Sequence, residues 1–212
     1  MGLDMYLNIR HKDTQPKIDA YTAWEQKYTT DEFYELSDDE QDAYWDSEPE
    51  YYHGMFGKEL IYWRKANQIH RWFVQNCQNG IDDCGTYPVT LNQLKELKAL
   101  CEKIMSMTVV HQEERPIYPN GWNEKPVMVM KDVHVLTEEG VKFAEENLPS
   151  QSGFFFGRSD YDGYYLNDIE HTIESIDEVI DELMIEYRFG LDIDLVTGEY
   201  NGDYIIEYTS SW

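Results

Sequence analysis

The chain has 212 residues, with 42 Asp and Glu against 17 Lys and Arg, giving a formal net charge of −25. A 15% aromatic share with 17 Tyr excludes a disordered acidic polymer, and the length suffices for one sizeable core, so a single domain spanning 1–212 is expected. No run of about eighteen apolar residues occurs, Met1-Gly2-Leu3-Asp4 lacks the regions of a signal peptide, and Tyr6 breaks the myristoylation pattern, so no membrane association and a cytoplasmic location are expected.

Leu3, Met5, Leu7 and Ile9 alternate with polar neighbours and predict a half-buried first strand. A polar stretch follows around Pro16. Ser37-Asp38-Asp39-Glu40 fits a capping box and predicts a short acidic helix that runs toward Trp45 and ends before Pro49. Leu60, Ile61, Ala66, Ile69, Trp72, Phe73 and Cys77 fall near helical spacing, predicting one helix over 58–77 with Arg64, Lys65 and Arg71 on its other face. Thr90 and Gln93 form a second capping box ahead of Leu91, Leu94, Leu97, Cys101 and Ile104, the stripe of another amphipathic helix.

Pro116, Pro119, Gly121 and Pro126 predict an irregular connection over 108–126, followed by a strand over 127–136 and a short helix over 137–148 that contains Gly140. Ser152-Gly153-Phe154-Phe155-Phe156-Gly157 reads as a short buried strand. From Asn167 to Tyr187, Ile169, Ile173, Ile176, Ile180, Leu183 and Tyr187 mark one apolar stripe, with acids on the remaining surface. Residues 191–196 and 204–208 read as a C-terminal hairpin. These elements predict an α+β fold, in which a small sheet formed by the N-terminal strand and the C-terminal hairpin packs with amphipathic helices.

Chemistry is sparse. The nucleotide-loop, nucleophile-elbow and zinc-protease signatures are absent. Cys77, Cys84 and Cys101 lack zinc spacing and are expected as buried free thiols, His70 is a lone helical histidine, and Asp160/Asp162 and Asp192/Asp194 do not continue as calcium loops. No cofactor, metal or catalytic residue is expected. The alternative is a metal-dependent hydrolase acting on a nucleotide through Asp160, Asp162 and His70.

The acidity is placed rather than diffuse. Residues 31–52 hold ten acids and no Lys or Arg, and residues 159–207 hold fifteen acids against Arg188 alone. Excluding bases so completely raises self-repulsion, a cost that solubility alone does not require. The candidate partner-binding residues are Asp38, Asp39, Glu40, Asp42, Asp46, Glu48 and Glu50 in the first segment. In the second they are Glu170, Glu174, Asp177, Glu178, Asp181, Glu182 and Glu186. Carboxylates four apart on a helix stand about 6 Å apart along its axis, a regular anionic rail of the kind a basic nucleic-acid channel accepts in place of phosphates. Tyr34, Tyr44, Trp45, Tyr51 and Tyr52, interleaved with the first acids, are candidate interface anchors. The expected partner is a basic nucleic-acid-binding protein, and direct nucleic-acid binding is not expected.

The opening MGLDMYL, the stretch from Tyr62 to Phe73 (YWRKANQIHRWF), and Gly153 to Gly157 with Asp160-Tyr161-Asp162 resemble small uncharacterised proteins of bacteriophages and prophages. The resemblance implies a phage origin and a host bacterial cytosol, and supplies no fold, activity or catalytic residue. In charge and size the chain is also similar to phage DNA mimics that disarm restriction enzymes or CRISPR nucleases. That likeness implies an inhibitor of a host defence nuclease, a CRISPR effector first; a separate alternative is a phage accessory protein that binds another basic protein.

Overall fold

A computed structural model of the protein describes residues 2–49, 57–119, 125–186 and 203–212, apart from the side chains of residues 32 and 184–186. Alternation in the first strand sets the layout. β1 (Asp4–His11) sends Met5, Leu7 and Ile9 to one face, each at most 2% exposed, while Asp4, Tyr6 and Asn8 on the other face stay half-buried. It pairs antiparallel with both β2 (Lys58–Arg64) and β6 (Tyr204–Ser211), and β6 pairs with the short β3 (Tyr87–Pro88), in the order β2-β1-β6-β3. Ile61, Trp63, Ile206 and Tyr208 complete the inner face.

That face joins one continuous apolar core with α4 (Asn67–Asn76), α5 (Leu91–Met105), α6 (Glu138–Asn147) and α7 (Gly163–Glu186), through residues such as Phe73, Leu97, Ala144 and Ile176. The fold is α+β as expected, with the N-terminal and C-terminal strands side by side. Residues 191–196 and the turn after them lie outside the described residues. Among the described residues no helix is long and apolar enough to cross a membrane.

Local chemistry starts the helices where the sequence places them. The Gln93 amide donates to Thr90 Oγ1 at 3.1 Å while Thr90 N–H donates to Gln93 Oε1 at 2.8 Å, closing the capping box of α5. Ser37 N–H and hydroxyl both donate to Glu40 Oε2 at the start of α3 (Asp38–Asp46), holding the Glu40 carboxyl below its ordinary range. Gly140 sits in α6 for a packing reason, since a Cβ there would lie 2.9 Å from the Met107 carbonyl oxygen.

Four expectations are corrected, and one stretch that the sequence left unassigned is a helix. The helix predicted over 58–77 is β2 followed by α4: Ile61 and Trp63 are buried and Tyr62 and Arg64 exposed, a period of two, and Lys65 turns the chain at φ 61°. The polar stretch around Pro16 is α1 (Gln15–Tyr28), with proline in its first turn, where a missing N–H costs nothing. Residues 108–126, read as irregular from their prolines, contain β4 (Thr108–Ile117), paired in register with β5 (Val127–Leu136) as a separate two-stranded ribbon. Residues 152–157 are not a strand: Phe156 N–H turns back to the Gly153 carbonyl, and Phe154 is 95% exposed. Cys84 is an exposed thiol, whereas Cys101 is buried and Cys77 half-buried.

Candidate partner-binding surface

The two acidic segments have separate supports. In the first, α1, α2 (Asp31–Tyr34) and α3 close around their own aromatic cluster, in which Phe33 and Tyr44 are each 5% exposed and belong outside the main core. Tyr44 stacks on Trp24 with ring centroids 5.0 Å apart, and the Trp24 indole donates to the Tyr44 carbonyl at 3.2 Å. Tyr44 therefore packs its helix, and Trp45 packs in the same cluster against Trp24, Tyr28, Phe33 and Tyr44 while staying 46% exposed; Tyr34 is 71% exposed. Tyr51 and Tyr52 lie outside the described residues. Asp38, Asp39, Glu40, Asp42, Asp46 and Glu48 are exposed, Glu40 being engaged by the cap, and Glu50 lies outside the described residues.

The second support is α7. Its buried line is Ile169, Thr172, Ile176, Val179 and Leu183, each at most 2% exposed, with Ile173 and Ile180 only half-buried. The helix is thus rolled slightly from the stripe expected from its isoleucines, and a polar residue stands in the middle of the buried line. At 100° per residue the direction opposite that line falls among Glu170, Glu174 and Asp181. Those three are exposed, as are Asp177 and Glu178 on either flank.

A lysine meets each edge of this face. Lys98 of α5 pairs with Asp177 at 2.7 Å and with Glu102 at 3.1 Å, and Lys58 of β2 pairs with Glu182, which is half-buried. Among the described residues Glu170, Glu174, Glu178 and Asp181 make no ion pair. The side chain of Glu186 and all of Tyr187 lie outside the described residues. Sequence reading missed the two lysines, because it assigned Lys58 to a helix and could not place Lys98 beside α7.

One acid of α7 faces inward. Asp168 accepts from the Gln68 amide at 3.0 Å, and burial pushes its carboxyl up to about 6. Asp162, read as half of a metal-binding pair, instead starts the helix: its Oδ1 accepts the Tyr164 N–H at 2.9 Å, and its other oxygen lies 3.6 Å from Arg158. Among the described residues no group of three His, Cys, Asp or Glu is arranged to hold a metal, and Asp192 and Asp194 lie outside them.

His70 is fully buried, with Nδ1 2.7 Å from the Tyr208 hydroxyl and Nε2 3.2 Å from Asp82 Oδ2. Burial lowers its pKa against the pull of Asp82, so both nitrogens serve an interior network that continues to the indole of Trp212 through Asp82 Oδ1. The arrangement ties β6 to α4 and the loop after it.

No protein-family model matches the chain, and comparison with curated proteins and with solved structures returns no match.

Proposed function

We propose that the chain is an inhibitor that sets the anionic face of α7 against the basic nucleic-acid channel of a partner protein and so excludes nucleic acid from it. The observation that carries this reading is the two-sided character of one helix. Five positions at most 2% exposed fix α7 to the core, while Glu170, Glu174, Glu178 and Asp181 face solvent on a helix that has no Lys or Arg among its described residues. A helix of this length spans about 36 Å, comparable to a turn of duplex, and its packing fixes the backbone that carries the carboxylates, so that only their side chains need ordering on binding. The exposed Tyr34 and Trp45 beside the acids of α3 offer a second contact with apolar anchors. The phage resemblance of the sequence points to a host defence nuclease as the partner, a CRISPR effector first.

The test uses a guide-loaded CRISPR effector and the whole chain. Binding should weaken as salt rises, and effector preloaded with target DNA should fail to take up the chain, as should the reverse order. E170K/E174K/D181K should fold and lose affinity. Simultaneous binding of chain and DNA, with DNA affinity unchanged, overturns the reading.

A further inference from the structure

The β4–β5 ribbon stands outside the four-stranded sheet and, among the described residues, concentrates the exposed aliphatic surface. Its strands pair from Thr108↔Leu136 to Ile117↔Val127, about 30 Å of ribbon. Leu136 alone of its residues is buried. Among the described residues, Ile81 is the one large exposed non-aromatic hydrophobic side chain found elsewhere, whereas Val109, Val127 and Val135 on one face of the ribbon are 43%, 50% and 41% exposed, and Val110, Met128 and Met130 on the other are 57%, 48% and 60% exposed. A two-stranded ribbon is marginal in water by itself, and apolar surface gathered in this way marks an interface.

Charge separates the two faces. Cross-strand neighbours share a face, so Val109 with Val135, Glu113 with Lys131 and Ile117 with Val127 point one way. Gln112 with Asp132 and Glu114 with Met130 point the other way. The first face holds one acid and two bases, with Arg115 paired to Glu113 at 2.6 Å, and the second holds two acids and no base. In a chain of net charge −25 the valine face is therefore locally cationic, and a second copy can approach it with little repulsion from the ribbon itself.

We propose that this valine face joins two copies of the chain, ribbon on ribbon, about a two-fold axis parallel to the strands. That operation lays β4 over the partner's β5 at the same level, with the sheets about 10 Å apart. Glu113 then faces the partner's Lys131, Lys131 faces the partner's Glu113, and Val109 and Ile117 meet the partner's Val135 and the partner's Val127. A two-fold axis across the strands would instead set Glu113 against the partner's Glu113. The acidic bodies still repel, so the dimer tightens as salt rises, the opposite of the response expected for binding a basic channel.

Sedimentation velocity of the whole chain across a concentration series, at low and high salt, tests this. The expected result is a monomer–dimer equilibrium that salt shifts toward dimer, and a monomer under all conditions overturns the proposal. E113K and K131E should each weaken self-association by about tenfold or more, because like charges then meet across the axis. Mixing the two variants should restore a dimer containing one of each. A dimer indifferent to both substitutions, or variants that fail to recombine while circular dichroism shows them folded, overturns this face as the interface.

Discussion

The indole N–H of Trp63 donates to Thr172 Oγ1 at 3.0 Å, with Trp63 1% exposed and Thr172 fully buried. The Thr172 hydroxyl in turn donates to the Asp168 carbonyl at 2.7 Å. This pair ties β2 to the middle of α7 and sets the roll of the helix, which turns Glu170, Glu174 and Asp181 outward. Thr172→Val keeps the shape but strands the indole N–H, and should lower stability by about 1–3 kcal/mol in urea unfolding. Thr172→Ser retains the acceptor and should lose only about 1 kcal/mol for the missing methyl. The reverse order would show that the methyl, not the hydrogen bond, holds the contact.

The same roll predicts unequal depths for two isoleucines that look equivalent in sequence. Ile176 is fully buried and Ile180 half-buried. Ile176→Ala should therefore cost about 2–5 kcal/mol, with a clearly smaller loss for Ile180→Ala. Equal losses in the same denaturation assay would contradict the observed setting of α7.

Much of this arrangement was legible because it is local. The alternation from Leu3 to Ile9, the capping boxes at Ser37 and Thr90, and the apolar stripe of α7 are signals within one element, and each element forms where its signal lies. The errors arose where two signals overlap or where a partner decides. Leu60 and Ile61 satisfy helical spacing by coincidence, while the strand around Tyr62 is fixed by pairing with β1, which no local window contains. Pro116 suggested an irregular connection, yet it stands one residue from the end of β4, where a missing N–H is tolerated. The acids of the candidate surface were readable, but their partners were not: Lys58 and Lys98 reach α7 only through the tertiary fold.

A pH dependence follows from Asp168. Its carboxyl is raised by burial to about 6 from an ordinary 3.8, and the Gln68 amide offsets only part of this. Between those values the folded chain holds a proton that the unfolded chain releases. The contribution to stability is thus full below the lower value and is lost as pH rises through the upper one. Two pKa units correspond to about 3 kcal/mol at most. Asp168→Asn, which can still accept from Gln68, should raise the melting temperature near neutral pH and give little gain near pH 4. A gain of equal size at both pH values would place the effect elsewhere.

The last prediction concerns Asn67, the 1% exposed residue that begins α4. Its Nδ2 donates to the carbonyls of Phe156 at 3.0 Å and Arg158 at 2.7 Å, and its Oδ1 accepts the Gln151 N–H at 2.7 Å, so one side chain binds both limbs of the loop that exposes Phe154. The same loop reaches the sheet, where Leu3 N–H donates to the Phe155 carbonyl at 3.0 Å. Asn67→Ala removes all three side-chain bonds and should cost about 2 kcal/mol or more. The exchange protection of the Leu3 amide should fall by more than that of the amides within α5, because the loop loosens before the core does. Asn67→Asp replaces the donor with a carboxylate facing two carbonyl oxygens, so near neutral pH it should be worse than alanine and should recover as acid protonates it. Hydrogen exchange at Leu3 unchanged in Asn67→Ala would show that the loop is held by Phe156 packing and not by the asparagine.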